Sequence, residues 1–512
     1  MSQIKLSEFI DRDHPMKISN KNPNLPNQTS DSNIGVDGLP TTIPKKEIPM
    51  DAQIDSLDGH FYVMQDEFGK LSSIDPALLD NSNSDNWISD DSSTCCLLCG
   101  AQFTLTCRRH HCRYCGLLFC GACTQNRAMV GESLARVCDS CGVILIPPGG
   151  NAKFEGLKKW CEANNCAELF TESPTNAGIQ FLVSKMQSDS PDSHFNAIRT
   201  LYKLLPCHAP ALIDSNIPAA LLKHALECQD ENCQAKSLSV DLFVTLFNTD
   251  SQGCNVNLKD YNIDIMPFFS GESIDQKRSA ARLLYTLVKN ENIEIPDPIS
   301  LLEIKDRWVS AFVLAAISLK TELPQIEAEK IIPLLLSFLP KNNKESSTVA
   351  ARFYVSDILS RLSTMDKSYA VVLANNDLQS VVDLLYQNLP KSETDNRPET
   401  TVATNLSNVL LSAWQIIAEE KREDHAAPFG QVLMPIYDVI GMPNESKADS
   451  ALTKVQITCF KLIQLFATFE DCVVSFKSEQ ITSILTKAAE GETEFSIEAR
   501  KALDSLKTES AE

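Results

Sequence analysis

The feature that most constrains this chain is a group of four Cys-x-x-Cys pairs between residues 96 and 141. The pairs are Cys96/Cys99, Cys112/Cys115, Cys120/Cys123 and Cys138/Cys141. Each pair can supply two ligands to a tetrahedral Zn²⁺, so four pairs predict two closed, four-coordinate sites. A catalytic zinc keeps one position open, so both ions are predicted to be structural. Spacing alone leaves open whether consecutive or interleaved pairs share a metal.

The residues between these cysteines are unusually basic for the chain. The whole protein has a formal net charge of −21 at pH 7, which disfavours a nucleic-acid partner because phosphate neutralisation needs a basic surface. Segment 95–150 instead holds five arginines against Glu132 and Asp139, a local charge of +3. Residues 108–113 read Arg-Arg-His-His-Cys-Arg. Because the arginine fork matches phosphate oxygens, this run predicts a site for a phosphate monoester.

Residues 87–146 resemble the FYVE zinc finger family. Three motifs carry the resemblance: Trp-x-x-Asp at 87–90, the basic run at 108–113, and Arg-Val-Cys at 136–138. The resemblance implies interleaved metal sites, with one Zn²⁺ on Cys96, Cys99, Cys120 and Cys123 and the other on Cys112, Cys115, Cys138 and Cys141. It also implies that the finger binds phosphatidylinositol 3-phosphate on endosomal membranes.

The same resemblance assigns roles to residues outside the metal sites. The headgroup would be bound by Asp90, Arg108, Arg109, His110, His111, Arg113 and Arg136. Leu105 and Thr106 would form the membrane-insertion loop. Burial of one leucine contributes only about 1.5–3 kcal/mol, so a monomer should bind membranes weakly. A homodimer would strengthen binding through avidity, although no long heptad pattern identifies a dimerisation segment.

Beyond residue 152 the pattern is helical. Apolar residues recur at helical spacing, for example in sets beginning at Ile198, Val240 and Ala280, which are 42 and 40 residues apart. This period is close to that of armadillo and HEAT repeats. We therefore expect a mainly α protein, with a small zinc-stapled module followed by an armadillo/HEAT-like α-solenoid over 152–512; an irregular helical domain is the alternative.

Other segments predict less structure. Residues 1–58 are rich in Asn, Ser, Asp and Pro and predict a disordered tail. Residues 59–86 contain an apolar burst and predict a short docking or linker segment, and residues 147–151 predict a linker before the helices. Neither a signal peptide nor a membrane-length apolar run is evident, so a cytoplasmic protein is expected.

These features predict an adaptor, peripheral on early endosomes, whose solenoid recruits a protein partner in membrane trafficking. The alternative is a RING-like E3 ubiquitin ligase, or a scaffold with a FYVE-variant finger, because RING modules also use eight interleaved ligands. RING modules typically place a histidine ligand in the second pair, whereas Cys112 and Cys115 fill it here. The helical region contains no HExxH, GxSxG or phosphate-loop motif, which favours a protein that is not an enzyme.

Overall fold

The computed structural model describes residues 87–507, except 148–149, 151–152, 188–190, 229–233, 255, 262, 292, 305, 323–325, 340–348, 396 and 445–448. The predictions for residues 1–58 and 59–86 lie outside the described residues, as does most of the predicted linker 147–151. The described part is mainly helical, as expected, with short strands near its beginning. Within it, every helix is too short or too polar to traverse a bilayer.

Two antiparallel hairpins form the finger. Strand β1 (Arg109–His111) pairs with β2 (Leu118–Cys120), and β3 (Asn126–Val130) pairs with β4 (Ser133–Val137). In the second hairpin alternate residues face opposite sides, so Ala128 and Val137 are buried while Arg127 and Leu134 are exposed. Helix α1 (Asp139–Leu145) begins inside the last cysteine pair, where the Cys138 sulfur accepts a hydrogen bond from the Cys141 amide.

The described chain divides into two compact units, one ending at Thr286 and one beginning at Leu287. This division does not test the predicted end of the finger at 146 or the predicted start of the helical region at 152, because the finger and the helices after it belong to the same unit. The helices of this first unit are α2 (Glu155–Ala163), α3 (Ala167–Glu172), α4 (Pro174–Met186), α5 (Pro191–Asp214), α6 (Ile217–Glu227), α7 (Gln234–Thr249), α8 (Met266–Ser270) and the first part of α9 (Ile274–Glu291).

The finger and the first helices share one core. Phe119 of β2 contacts Phe181 of α4, with ring centroids 6.0 Å apart, and both side chains are fully buried. Helix α1 packs against α4, where the Ser140 hydroxyl donates to the Gly178 carbonyl at 2.8 Å. A Cβ at Gly178 would lie 2.8 Å from the Ser140 carbonyl oxygen. Only glycine therefore allows α4 to approach α1 this closely.

The second unit contains the end of α9 and the remaining helices. These are α10 (Pro298–Leu302), α11 (Arg307–Leu319), α12 (Ala328–Ser337), α13 (Val349–Met365), α14 (Lys367–Ala374), α15 (Gln379–Gln387), α16 (Pro398–Glu419), α17 (Ala426–Ile440), α18 (Ala451–Phe466), α19 (Glu470–Phe476), α20 (Glu479–Ala488) and α21 (Glu494–Lys507). Within it α11 packs on α13, α13 on α16, α16 on α18 and α18 on α21. The apolar sets predicted at Ile198, Val240 and Ala280 lie in α5, α7 and α9, as expected.

Polar contacts, buried in the first unit and half-buried in the second, join successive long helices within each unit. In the first unit Asp241 of α7 accepts a hydrogen bond from Tyr202 of α5 at 3.4 Å and forms an ion pair with Arg282 of α9. In the second, Ser318 of α11 donates to Asp357 of α13 at 2.6 Å. These partners are 39 to 41 residues apart in sequence. Helices one period apart are therefore neighbours in both units.

Candidate functional site

The eight paired cysteines form two quartets with interleaved pairing. Within each quartet the four sulfurs lie within 4.8 Å of one another, and the quartets are Cys96, Cys99, Cys120, Cys123 and Cys112, Cys115, Cys138, Cys141. Two of the sulfur–sulfur distances are 3.7 Å (Cys99–Cys120) and 3.9 Å (Cys115–Cys138). A tetrahedral Zn²⁺ with bonds of about 2.3 Å places its sulfurs about 3.8 Å apart. The donor type and spacing in both quartets therefore fit zinc.

The thiols of the first quartet are already inequivalent. A hydrogen bond from Cys123 lowers the pKa of Cys96 to about 5, whereas burial raises the pKa of Cys99 to about 11. Helix α2 begins directly against this quartet, because a Cβ at Gly156 would lie only 2.3 Å from the Cys123 sulfur. The Gly156 amide also donates to Asp139 at 2.7 Å, which anchors α2 to the start of α1. When bound, zinc would supply a rigid crosslink and no open coordination position.

The second quartet has two cationic neighbours on α5. The Lys203 ammonium donates to the Tyr114 carbonyl and lies 4.3 Å from the centre of the Tyr114 ring. Lys203 is partly buried overall, and burial of its ammonium lowers its pKa to about 7, an effect that the thiolates of Cys141, Cys115 and Cys112 oppose. Burial likewise lowers the pKa of fully buried Arg199 to about 10, against the attraction of Cys115.

The finger also carries a polar pocket of about 570 Å³. Six of the seven predicted headgroup residues line it, namely Asp90, Arg109, His110, His111, Arg113 and Arg136. The seventh, Arg108, is exposed and outside the lining. Strand β1 supplies Arg109 to His111, and β4 supplies Arg136, whose carbonyl accepts the Arg113 amide at 2.9 Å. Three separate motifs of the sequence thus converge on one cavity.

His111, in the basic run at 108–113, packs against the Trp-x-x-Asp motif at 87–90. Its ring stacks on Trp87 with centroids 5.0 Å apart, and its Nε2 forms a 2.9 Å hydrogen bond with the Ile88 carbonyl. Asp90 lies 3.7 Å from the same nitrogen. His110 lines the same pocket, and burial together with the charges of Arg136 and Arg113 lowers its pKa.

Two of the three pocket arginines lie against aromatic rings, and none of the three has an acidic partner among the described residues. The Arg113 guanidinium lies 4.1 Å from the Trp87 ring centre and donates to the His111 carbonyl at 2.8 Å. The Arg109 guanidinium lies 4.9 Å from the Phe103 ring centre. Burial and the nearby Arg136 charge lower the pKa of Arg113. Preformed guanidinium groups without carboxylates are arranged to accept an external anion.

The predicted insertion loop is a tight turn next to this pocket. Thr104 closes the turn, since its hydroxyl accepts the Cys107 amide at 3.0 Å and its amide donates to the Cys107 carbonyl at 3.0 Å. Leu105 at the tip is 94% exposed, and Thr106 is exposed beside it. An apolar side chain this exposed to solvent is available for burial in an apolar environment outside the protein.

Two features of the site were not assigned from the sequence. Arg127 lies directly opposite Arg136 in the β3–β4 pair, and Leu134 on the same hairpin is 61% exposed. The alternation along each strand could have indicated them, because residues 127, 129, 134 and 136 share one face once the register is known. The register itself depends on the turn at 131–132, which belongs to none of the three motifs of the finger.

Comparison with known proteins identifies the module. Residues 86–145 match the family model described as FYVE zinc finger. RUN and FYVE domain-containing protein 2 of Homo sapiens is 47% identical over 62 residues, covering 12% of this chain and 10% of that protein. Early endosome antigen 1 of Homo sapiens is 44% identical over 57 residues, covering 11% of this chain and 4% of that protein. The chain thus spans a tenth or less of the length of either relative.

For the helices the comparison is weak. A solved structure, "A conserved phosphorylation switch controls the interaction between cadherin and beta-catenin in vitro and in vivo", is 15% identical with a TM-score of 0.44. It covers 69% of this chain and 71% of its own, but at that TM-score it carries no argument about the fold.

Proposed function

We propose that the FYVE zinc finger at residues 86–145, whose two cysteine quartets are zinc-binding clusters, recruits the protein to membranes containing phosphatidylinositol 3-phosphate. The protein then acts as a peripheral adaptor on early endosomes, with the helical units offering a surface for a protein partner. One observation carries the proposal: the three motifs of the finger converge on a single pocket lined by arginines and histidines.

The chemistry of the pocket supports a phosphoinositide ligand. Arg109, Arg113 and Arg136 provide guanidinium forks for a phosphate monoester, and Asp90 provides an acceptor for ring hydroxyls. Arg108 outside the lining is available to the phosphodiester or to neighbouring headgroups. The exposed Leu105 beside the pocket supports a ligand that is part of a bilayer. Zinc ions bound by the two cysteine quartets would hold this arrangement rigid without contacting the ligand.

The adaptor part of the proposal rests on the helices. Polar contacts between helices about 40 residues apart support an armadillo/HEAT-like stack, as predicted over 152–512. Stacks of this kind present extended surfaces suited to protein partners.

We propose no catalytic role for the helical region. A serine–histidine hydrogen bond occurs there, between the Ser239 hydroxyl and His224 Nδ1 at 2.9 Å, but Ser239 is fully buried and has no access to a substrate.

The test is vesicle sedimentation of the full chain against a panel of phosphoinositides, with Arg108→Ala/Arg109→Ala as the variant. Wild type should sediment preferentially with phosphatidylinositol 3-phosphate. Loss of two charged hydrogen-bond donors, each worth about 1.5–3 kcal/mol, should weaken binding at least a hundredfold.

The matched control is Lys158→Ala/Lys159→Ala, which removes two exposed cations from α2 outside the finger. Its binding should equal that of wild type within a few-fold. Equal binding by wild type and the arginine variant, or preference for another lipid, would overturn the proposed function.

A further inference from the structure

The outer face of the β3–β4 hairpin carries both charge and apolar surface. In the register of this hairpin Arg127 opposes Arg136, and Met129 opposes Leu134. Opposed residues of an antiparallel pair lie on the same side of the sheet, so these four side chains share one face. The opposite face carries Ala128 and Val137 and is buried in the finger.

Within the described part of the chain, no acidic residue forms an ion pair with Arg127 or Arg136. Like charges directly opposite each other across two strands are destabilising. Arg127 is exposed, has no carboxylate within 4 Å among the described residues, and adds its charge to those that already act on Arg113. Arg136 lines the headgroup pocket, so Arg127 lies at the pocket's edge without being part of its lining. An anion from outside the protein would relieve the repulsion.

The apolar pair lies next to these arginines on the same face. Leu134 is 61% exposed, and only Leu105 of the finger's large apolar side chains is more exposed. Met129 beside it is half-buried. Each exposed leucine is close in sequence to a residue of the pocket. Arg109 follows the turn that carries Leu105, and Arg136 lies two residues after Leu134. Cations next to exposed apolar groups suit a surface where phosphate lies above hydrocarbon.

We propose that this hairpin face, formed by Arg127, Met129, Leu134 and Arg136, is a second membrane-contacting surface that binds anionic phospholipid beside the headgroup pocket. A surface of this kind rests on the proposed function, because it adds neighbouring lipids to the one held in the pocket. Arg127 contacts the phosphate of an adjacent acidic lipid, and Leu134 enters the interfacial region. The finger would then touch the bilayer at two apolar points instead of one.

The experiment uses the full chain and two ligand forms. Vesicles of phosphatidylcholine and phosphatidylserine are prepared with and without phosphatidylinositol 3-phosphate, and soluble inositol 1,3-bisphosphate serves as the isolated headgroup. Arg127→Gln should weaken vesicle binding about fivefold, from the loss of one surface cation. Leu134→Ser should weaken it about tenfold. Both variants should bind the soluble headgroup as wild type does.

Matched controls separate the surface from general charge and hydrophobicity. Lys158→Gln removes an exposed cation from α2, and Val474→Ser removes an apolar side chain that is 70% exposed on α19. Neither should change vesicle binding. Leu134→Trp should strengthen vesicle binding without changing headgroup binding. Each variant is first shown to hold two zinc ions and to melt as wild type does.

The outcomes distinguish this surface from the pocket. Vesicle binding by Arg127→Gln and Leu134→Ser equal to that of wild type would overturn the second surface. So would a parallel loss of soluble headgroup binding, since the residues would then belong to the pocket. Wild type that ignores phosphatidylinositol 3-phosphate but binds phosphatidylserine vesicles through these two residues would refute the proposed function and leave the second surface standing.

Discussion

The finger and the helices are held together by different forces. In the finger, eight thiolates around two metal sites fix strands of only three to five residues that could not persist alone. In the helices, buried apolar faces provide the stability, with a few buried polar pairs such as Asp241–Arg282 between them. Because metal bonds replace a large core, the outside of the finger is free to carry unpaired charges. The helices keep their charges mostly paired or solvated.

The finger and the first helices nevertheless share a core. Phe119 and Ser140 contact α4, and the Tyr114 carbonyl, between two cysteines of the second quartet, accepts a hydrogen bond from Lys203 of α5. The finger's stability and that of the first helical unit should therefore be coupled, while the unit beginning at Leu287 is held by its own packing.

Zinc removal is the largest perturbation that tests this coupling. Structural zinc contributes about 10–16 kcal/mol in small zinc modules, so chelation should unfold the finger. Because its core is shared, helices α2 to α5 should lose protection as well, and the chain from Leu287 should not. Limited proteolysis with mass spectrometry of the chelated protein checks this, with zinc restored as the control. Cleavage confined to the finger, with α4 and α5 still protected, would separate the two regions completely.

Breaking the buried ion pair should have the next largest effect. Asp241→Asn leaves Arg282 fully buried without its counter-charge, which typically costs about 3–5 kcal/mol. The Tm of the first unit should fall by roughly 10 °C.

The control for this variant is Lys367→Gln, which breaks the exposed pair Lys367–Glu419 and should leave the Tm unchanged. Zinc content, measured by atomic emission, should remain at two ions per chain in both variants. A fall in zinc content of Asp241→Asn would mean that the helical packing also holds the metal sites.

The cations on α5 test the coupling from the helical side. Four thiolates and one Zn²⁺ carry a net charge of about −2, which Lys203 and Arg199 partly balance. Lys203→Met nearly keeps the side-chain length and removes the ammonium, so below about pH 7, where Lys203 is charged, one of the two zinc ions should leave about tenfold faster. A colorimetric zinc chelator follows both release phases, with Lys158→Met as the control. Unchanged release of both ions would show that α5 packs on the finger without stabilising its metal.

The smallest expected effect is the pH dependence of membrane binding. The pKa of His110 is lowered in the free protein, and a bound phosphate anion should raise it. Protonation therefore favours binding: affinity should rise as the pH falls below the bound-state pKa and level off below the free-state pKa, which lies under the ordinary value of 6.5. A few-fold increase in vesicle binding between about pH 7.5 and about 5.5 is expected, and His110→Gln should abolish it.

The sequence was most informative where chemistry is local. The cysteine ligands and most of the pocket residues could be predicted because each motif contains its own ligands, although spacing alone could not choose between interleaved and consecutive pairing. The helix faces followed from periodicity. Contacts such as Tyr202–Asp241 and Lys203–Tyr114 could not be predicted, because they depend on which helices are neighbours and how each is rotated about its axis. The position of Arg127 opposite Arg136 could not be predicted for the same reason, since it depends on the strand register.

The glycine at position 156 has a mechanical consequence. Because α2 begins in contact with Cys123, and α4 lies directly on α1, the finger cannot rotate independently of the first helices. A headgroup in the pocket would therefore set the tilt of the whole first unit against the bilayer plane. A force applied to α5 would be transmitted to the bound lipid, because the finger is packed rigidly on the first helices. Inserting flexible residues after Gly150 should not let the finger move independently of these helices, because the packed core connects them, and not only the chain.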